Sequence, residues 1–459
     1  MDFNGSTDLV IEWVNSVEPN EGQNTAKVSF LFSSKLFGGM IGGIIGTIIG
    51  PVIGCKTLSI IYLVMMAGGN FVGFLSLEYN QYWLLIASRI ATGIGNAGSM
   101  IAISNYVTEV AVSRNRGQLN FLLLVLRETG MLTGTILSSP VVLGRPGMWQ
   151  YILLLIALWF APGAYLLSRF PESPRHLLYA KRSPEEALNS IRFFYSASEG
   201  TEVQSALAAG LEQHRARGRE QKWYSNLTWN DFWKPLLATV ALGAAFGFGS
   251  RMLLTNLSVY ILHQLSFSWH SARYANLLII LLVVALMFPF TAIIDQYERV
   301  TILKVGMFAT CLCQISLITI GLTGPVKETD WAVKTVSVFA VTMWVFSVTL
   351  GLAPAHIIVS EMFNQRHRNV ARSVLLVVQA SIGSLSTFVY PFLGMTGGIL
   401  GLFIAFAACS VPVIISLPKT TGRTLEQISA TVSKTVKADT EELTNTDIMP
   451  LTNNPWHQK

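Results

Sequence analysis

The stretch YVTEVAVSRNRGQ, residues 106–118, is a short charged turn between two long apolar segments that together run from Tyr82 to Gly134. The turn carries Tyr106, Glu109, Arg116 and Gly117. The first segment holds Arg89, Gly93 and Gly95, and the second holds the adjacent pair Arg127 and Glu128. Apolar segments of about 20 residues cross a bilayer as helices. A charged side chain at the centre of such a helix costs about 2.5–3.5 kcal/mol on insertion scales. Arg127 and Glu128 therefore need a partner inside the protein, a function, or both.

The rest of the chain is built in the same way. Its 459 residues are 51% hydrophobic and 13% charged, against about 25% charged in soluble domains. The apolar residues gather into long runs, so the fold class is an all-α polytopic membrane protein. The net charge of +6 comes from basic residues beside the predicted spans, which points to the lipid bilayer and away from nucleic acid. Cys55, Cys311, Cys313 and Cys409 lie in or near apolar runs and form no metal or disulfide pattern. No nucleotide loop or nucleophile constellation is present, so neither an enzyme nor a cofactor is expected.

Spans are predicted near 28–50, 57–77, 82–108, 117–139 and 148–169, then near 235–262, 274–294, 301–322, 334–359, 373–395 and 397–417. This divides the chain into an extracellular segment 1–27, an incomplete helical bundle 28–169, a cytoplasmic helical loop 170–234, a six-helix bundle 235–417 and a cytoplasmic tail 418–459. The central loop, alternate turns and tail are rich in Lys and Arg, which places them inside and the N-terminus outside, in the plasma membrane. Asn4-Gly5-Ser6 is then an extracellular glycosylation sequon. Ser183 with Glu186 reads as a capping box for a loop helix.

An internal repeat supports two parallel halves. Glu109 and Arg116 are seven positions apart on one basic turn, as are Glu361 and Arg368 on another. Weak internal symmetry of this kind occurs in transporters built from repeated bundles.

Pro171-Glu172-Ser173-Pro174-Arg175 with Leu177 resembles the motif that follows the sixth helix of sugar porters in the major facilitator superfamily. Pro418 to Glu426, PKTTGRTLE, resembles their tail motif. Arg89-x3-Gly93, Tyr106-x2-Glu109, Arg116-Gly117, Asp295-x3-Arg299 and Glu361…Arg368 resemble their turn motifs. The resemblance covers about residues 28–430 and implies two helical bundles of five and six spans, working by alternating access on a sugar or polyol. The family's first helix has no counterpart here, and the turn after its second helix reads Pro51-Val-Ile-Gly54-Cys55-Lys56, without the usual Asp and first Arg.

By the same resemblance, Glu109, Arg116, Arg175, Asp295, Arg299, Glu361 and Arg368 are gating residues at the cytoplasmic edge, and Arg89 and Gly93 are structural. The substrate positions depart from the hexose pattern. Leu124 stands where hexose carriers have Gln, Arg251 lies in a seventh helix without the usual Gln and Asn residues, and His356 and Gln379 fall near sugar-contacting positions. With Arg127 and Glu128 these form the candidate substrate site. The leading expectation is a facilitative carrier of small polar solutes. A proton-coupled or organic-anion carrier using Glu128, Arg127 and Arg251 is the alternative, and a transport-inactive receptor, regulator or truncated isoform is a third.

Overall fold

The computed structural model describes residues 7–17, 24–111, 116–179, 181, 183–196, 200–201, 203–205, 232–293, 296–322, 331–363 and 368–416. Every regular element among them is helical. In chain order these are α1 (Thr7–Val17), α2 (Asn24–Ile53), α3 (Cys55–Glu78), α4 (Tyr82–Val110), α5 (Arg116–Leu137), α6 (Tyr151–Ser168), α7 (Pro174–Tyr179) and α8 (Pro184–Phe194), followed by α9 (Lys234–Phe248), α10 (Arg251–Gln264), α11 (Trp269–Ile293), α12 (Arg299–Leu322), α13 (Trp331–Met362) and α14 (Arg368–Ser416).

Nine stretches of the described residues are long and apolar enough to cross a membrane. The stretch 370–414 is 45 residues long, about 67 Å as one helix and twice a hydrocarbon core. Gly394, at φ 68°, breaks it into two crossings. The stretch 234–264 is interrupted at Gly249 and Ser250, between α9 and α10. At 29 residues α4 is also long enough to cross, although Arg89, Thr92, Ser99 and Asn105 dilute its apolar character and are all buried within the bundle. Eleven crossings result, five in α2–α6 and six in α9–α14. The N-terminal segment 1–27 contains α1, whose 11 residues reach about 16 Å and cannot span.

Side-chain size sets the packing. A Cβ at Gly38 would lie 2.1 Å from the Ile90 carbonyl oxygen, one at Gly42 2.3 Å from that of Ile94, and one at Gly93 1.9 Å from that of Lys35. Glycine at these places lets the backbones of α2 and α4 touch. Further along the same stripe, Gly43 faces Val377 of α14. Within the first five crossings, α3 packs on α4 and α6; within the last six, α9 packs on α14 and α12 on α13. The sets meet mainly through α2 with α14 and α5 with α11, and further through α5 with α13 and α4 with α14.

One end of the bundle carries the loop after α6, with α7 and α8; it is the basic end here. Gly54 breaks the chain between α2 and α3 with φ 99°, a conformation open mainly to glycine. The first amides of α3 need acceptors, and Gly54 has no side chain to offer. Glu172 supplies them from a distance, accepting from the backbone amides of Lys56 at 3.0 Å and Thr57 at 3.3 Å. Lys56 Nζ donates to the Ser168 carbonyl at 3.0 Å, and Tyr106 donates to that of Pro171 at 2.6 Å. The turn that lacks the family's Asp is thus held by the carboxylate of the PESPR segment. Helix α8 starts after Ser183, but the Ser183 hydroxyl makes no capping bond. The capping box does not form, and Pro184 at the first position starts the helix with its fixed φ.

Candidate functional site

Glu128 lies in the middle of α5, with its side chain 1% exposed, and makes an ion pair with the fully buried guanidinium of Arg251, the first residue of α10. Arg251 also donates to Thr349 of α13. Arg127 Nε lies 3.9 Å from the same Glu128 oxygen, and Arg127 Nη1 lies 3.5 Å from Met100 Sδ of α4. Two cations therefore share one carboxylate where α5 meets the second set of helices.

The break before α10 positions Arg251. Ser250 adopts left-handed backbone geometry at φ 64°, uncommon for a residue with a Cβ. Trp344 Nε1 donates to the Gly249 carbonyl at 2.9 Å, satisfying an acceptor that the break releases. Arg251 also sits at the positive end of its own helix dipole, where a cation is disfavoured and an anion favoured. Glu128 is that anion. Removing one partner of such a buried pair costs about 3–5 kcal/mol, because the other charge is left uncompensated.

A narrow cavity with room for about one water molecule opens beside the pair, lined by Glu128, Met131, Leu254, Thr255, Ser258 and Asn276, with apolar residues of α11 and α13 completing it. Ser258 donates to Asn276 Oδ1 at 2.5 Å, and Asn276 Nδ2 is buried without a hydrogen bond. Leu124, one turn before Glu128, is buried in the apolar core and does not line this cavity. Gln379 is buried on α14 with both amide atoms unbonded, and His356 Nε2 on α13 is likewise buried and unbonded. The structure thus brings Glu128, Arg127 and Arg251 together, while Leu124, His356 and Gln379 stand outside the cavity lining.

At the basic end, α4 and α14 are tied directly. Arg372 Nη1 donates to Asn105 Oδ1 at 2.6 Å, both residues being buried. Glu109, one turn beyond Asn105, is hydrogen-bonded by Ser173 and lies in the field of Arg175 and Arg372. Arg299 opens α12, and the preceding Glu298 accepts from the Thr301 hydroxyl at 3.2 Å. Asp295 and Asn4 lie outside the described residues, as do the side chains of Arg116, Glu361 and Arg368. Arg89 and Gly93 are buried on α4.

At the opposite end, Arg273 of α11 pairs with Asp8 of α1, its Nε donating to Asp8 Oδ1 at 2.9 Å, while its Nη1 donates to the Gly144 carbonyl at 2.8 Å. Trp13 Nε1 of α1 donates to Asn80 Oδ1 at 3.0 Å. Helix α1 therefore touches both sets of crossings. Contacts between the sets are thus present at the centre and at both ends. Sequence reasoning missed Arg273, Arg372, Asn105 and Asp8. Both arginines stand at span boundaries, where a basic residue reads as a membrane-edge flank.

A family model described as "Sugar (and other) transporter" matches residues 5–431. The chain belongs to this family of sugar porters. The glucose transporter GlcP of Staphylococcus epidermidis is 23% identical over 447 residues, covering 91% of this chain and 91% of that protein. The D-xylose transporter of Levilactobacillus brevis is 25% identical over 433 residues, covering 91% and 90%. Rat solute carrier family 2, facilitated glucose transporter member 5, is 23% identical over 393 residues, covering 81% and 75%. Among solved structures, the partially occluded inward-open xylose transporter XylE of E. coli superposes with a TM-score of 0.71 at 16% identity, covering 92% of this chain and 95% of that one. The protein is an integral membrane sugar porter with the major facilitator fold, and its relatives are sugar transporters rather than enzymes.

Proposed function

We propose that this sugar porter carries small sugar-like solutes by alternating access and without coupling to protons. The observation that carries this reading is the buried pair of Glu128 and Arg251, which joins the two sets of helices across the closed centre. A carrier needs a centre that closes around its solute and gates that open one at a time. The Asn105–Arg372 contact at the basic end and the Asp8–Arg273 contact at the other supply candidate gates. The charge of Glu128 is balanced by a cation of the same chain, so no proton has to accompany it through the apolar interior. The density of Lys and Arg at the basic end supports a cytoplasmic location for that end, and α1 is then extracellular, in the plasma membrane.

The test is uptake of radiolabelled D-glucose and D-xylose by the full chain in proteoliposomes, with and without an imposed pH gradient. Saturable uptake that does not change with the gradient is expected. Accumulation driven by the gradient would overturn the uncoupled reading. Absence of uptake by folded protein would overturn carriage itself and favour a receptor or regulator.

A further inference from the structure

Helix α6 carries an exposed apolar stripe toward the basic end. Leu158, Trp159, Tyr165 and Leu166 lie along it, and exposed Arg169 and Phe170 continue it beyond Ser168. There the stripe meets a loop helix. Phe170 and Phe193 of α8 pack edge to face with ring centroids 5.8 Å apart, yet remain 43% and 58% exposed. Each ring follows an exposed arginine in sequence, Arg169 or Arg192. The Arg169 guanidinium lies 4.9 Å from the centre of the Tyr165 ring, one turn back along α6, and donates to the Tyr165 hydroxyl. Lys56 Nζ, bonded to the Ser168 carbonyl at 3.0 Å, brings a third cation beside Arg169. None of the three pairs with a carboxylate among the described residues. Glu172 is near, but it is buried and accepts from the Lys56 and Thr57 amides. We propose that this elbow between α6 and α8 binds an anionic phospholipid, its phosphate held by Arg169, Arg192 and Lys56 and its upper acyl chains lying against Phe170 and Phe193.

Continuity and charge choose this occupant. The exposed stripe of a membrane-crossing helix is covered by acyl chains, and the phenylalanine pair lies at its end. The bilayer therefore reaches the pair without leaving a surface it already covers. Arginine forks match phosphate oxygens, and basic clusters beside a span recognise anionic headgroups. The basic end is read above as cytoplasmic, the side whose leaflet holds anionic lipids. Snorkelling explains an arginine at the end of a span. It does not explain Phe193, which belongs to a loop helix and not to a crossing. Helix α8 buries Ala187, Ser190 and Ile191 against the protein, and a helix that met only water on its other side would carry polar residues there. An acyl chain over Phe193 removes that apolar ring from water. The elbow also adjoins Pro171, whose carbonyl accepts from Tyr106, and Glu172, which holds the start of α3. A lipid seated here ties α6 and α8 together beside those contacts.

Lipid titration of the full chain in detergent tests this, with the unfolding temperature as readout, since a ligand that binds the folded state raises it. Dioctanoyl phosphatidylserine, dioctanoyl phosphatidylcholine and inorganic phosphate are added separately. Phosphatidylserine is expected to raise the unfolding temperature well above the phosphatidylcholine value, and phosphate to leave it unchanged. In Arg169→Gln with Arg192→Gln, the phosphatidylserine concentration at half of the full shift is expected to rise about tenfold. Phe193→Ser is expected to raise it too. Lys304→Gln, which removes an exposed cation near the start of α12 at the same end, is expected to leave it unchanged. Equal shifts with the two lipids would overturn the proposal, and this comparison needs no variant. A phosphate shift equal to that of phosphatidylserine would assign a soluble anion and overturn the lipid. A loss in Lys304→Gln as large as in the double variant would spread the effect over all the charge at that end and overturn the site. The outcome is independent of which solute the protein carries.

Discussion

Glu128 of α5 and Arg251 of α10 meet with 1% and 0% of their side chains exposed, and no other ion pair among the described residues is as deeply buried. The pair joins helices 123 positions apart in sequence. It ties α5 of the first set of crossings to α10 of the second.

Breaking this pair on one side alone is expected to be severe. Glu128→Leu leaves Arg251 and Arg127 without their shared anion, and a loss of about 3–5 kcal/mol follows. The double change Glu128→Leu with Arg251→Leu removes both charges, and its loss is expected to be much smaller than that of the single change. Thermal unfolding of the purified variants measures both. The double variant is expected to fold and to have lost solute carriage.

The two ends are expected to respond in opposite senses. Asn105→Ala removes the acceptor of Arg372 and favours opening of the basic end, whereas Asp8→Asn weakens the hold on Arg273 and favours opening of the other. Asp8 is partly exposed, so its pair is worth about 1 kcal/mol at most, roughly a fivefold change in population. Alkylation rates of single cysteines placed in each half-cavity, on a background without the four native cysteines, report these shifts.

The bond from Glu172 to the start of α3 is expected to matter for folding. Glu172→Ala strips the Lys56 and Thr57 amides of their acceptor and removes a charge-assisted contact worth about 1.5–3 kcal/mol. Gly54→Ala is expected to be worse than a usual glycine replacement, because the residue has φ 99° and its Cβ would lie 2.6 Å from Glu172 Oε2. Melting temperatures and the protease sensitivity of the 170–196 segment check both.

His176 of α7 gives a pH dependence. Burial pushes its imidazole below the usual histidine range, against the opposing pull of the Glu172 charge and with a further push from Lys181. The unfolded chain then binds the proton more readily than the folded one, so stability is full above the ordinary histidine value of about 6.5 and falls as pH drops below it. The melting temperature is expected to fall between pH 7.5 and pH 5.5. His176→Gln should flatten that difference.

Much of the fold could be read from residue type because a bilayer admits few solutions. Long apolar runs gave the crossings, and the glycines from Gly38 to Gly50 showed a face of close approach, although α4 as its main partner could not be read from spacing. The charges at Arg127, Glu128 and Arg251 were conspicuous individually because each is costly in an apolar span. They were expected to share one site, but the direct pairing of Glu128 with Arg251 was not legible, since it depends on how α5 sits against the break between α9 and α10. The gates at Asn105–Arg372 and Asp8–Arg273 were hidden for a different reason. Arginine at the end of a span satisfies the membrane edge without further explanation, and Asp8 lies in a polar segment with no visible tie to α11. Glu172 was noticed as part of a motif, but its role as acceptor for α3 depends on a contact across 116 positions.

Counterflow tests alternating access by the closed centre most directly. Proteoliposomes holding the full chain are loaded with unlabelled D-xylose and diluted into a trace of labelled D-xylose, and the experiment is repeated with D-glucose. A carrier that exposes one site to each side in turn predicts a transient overshoot of label for a transported solute, abolished in Glu128→Leu with Arg251→Leu. Label that never rises above its equilibrium level for either solute, with folded protein in the membrane, would contradict it.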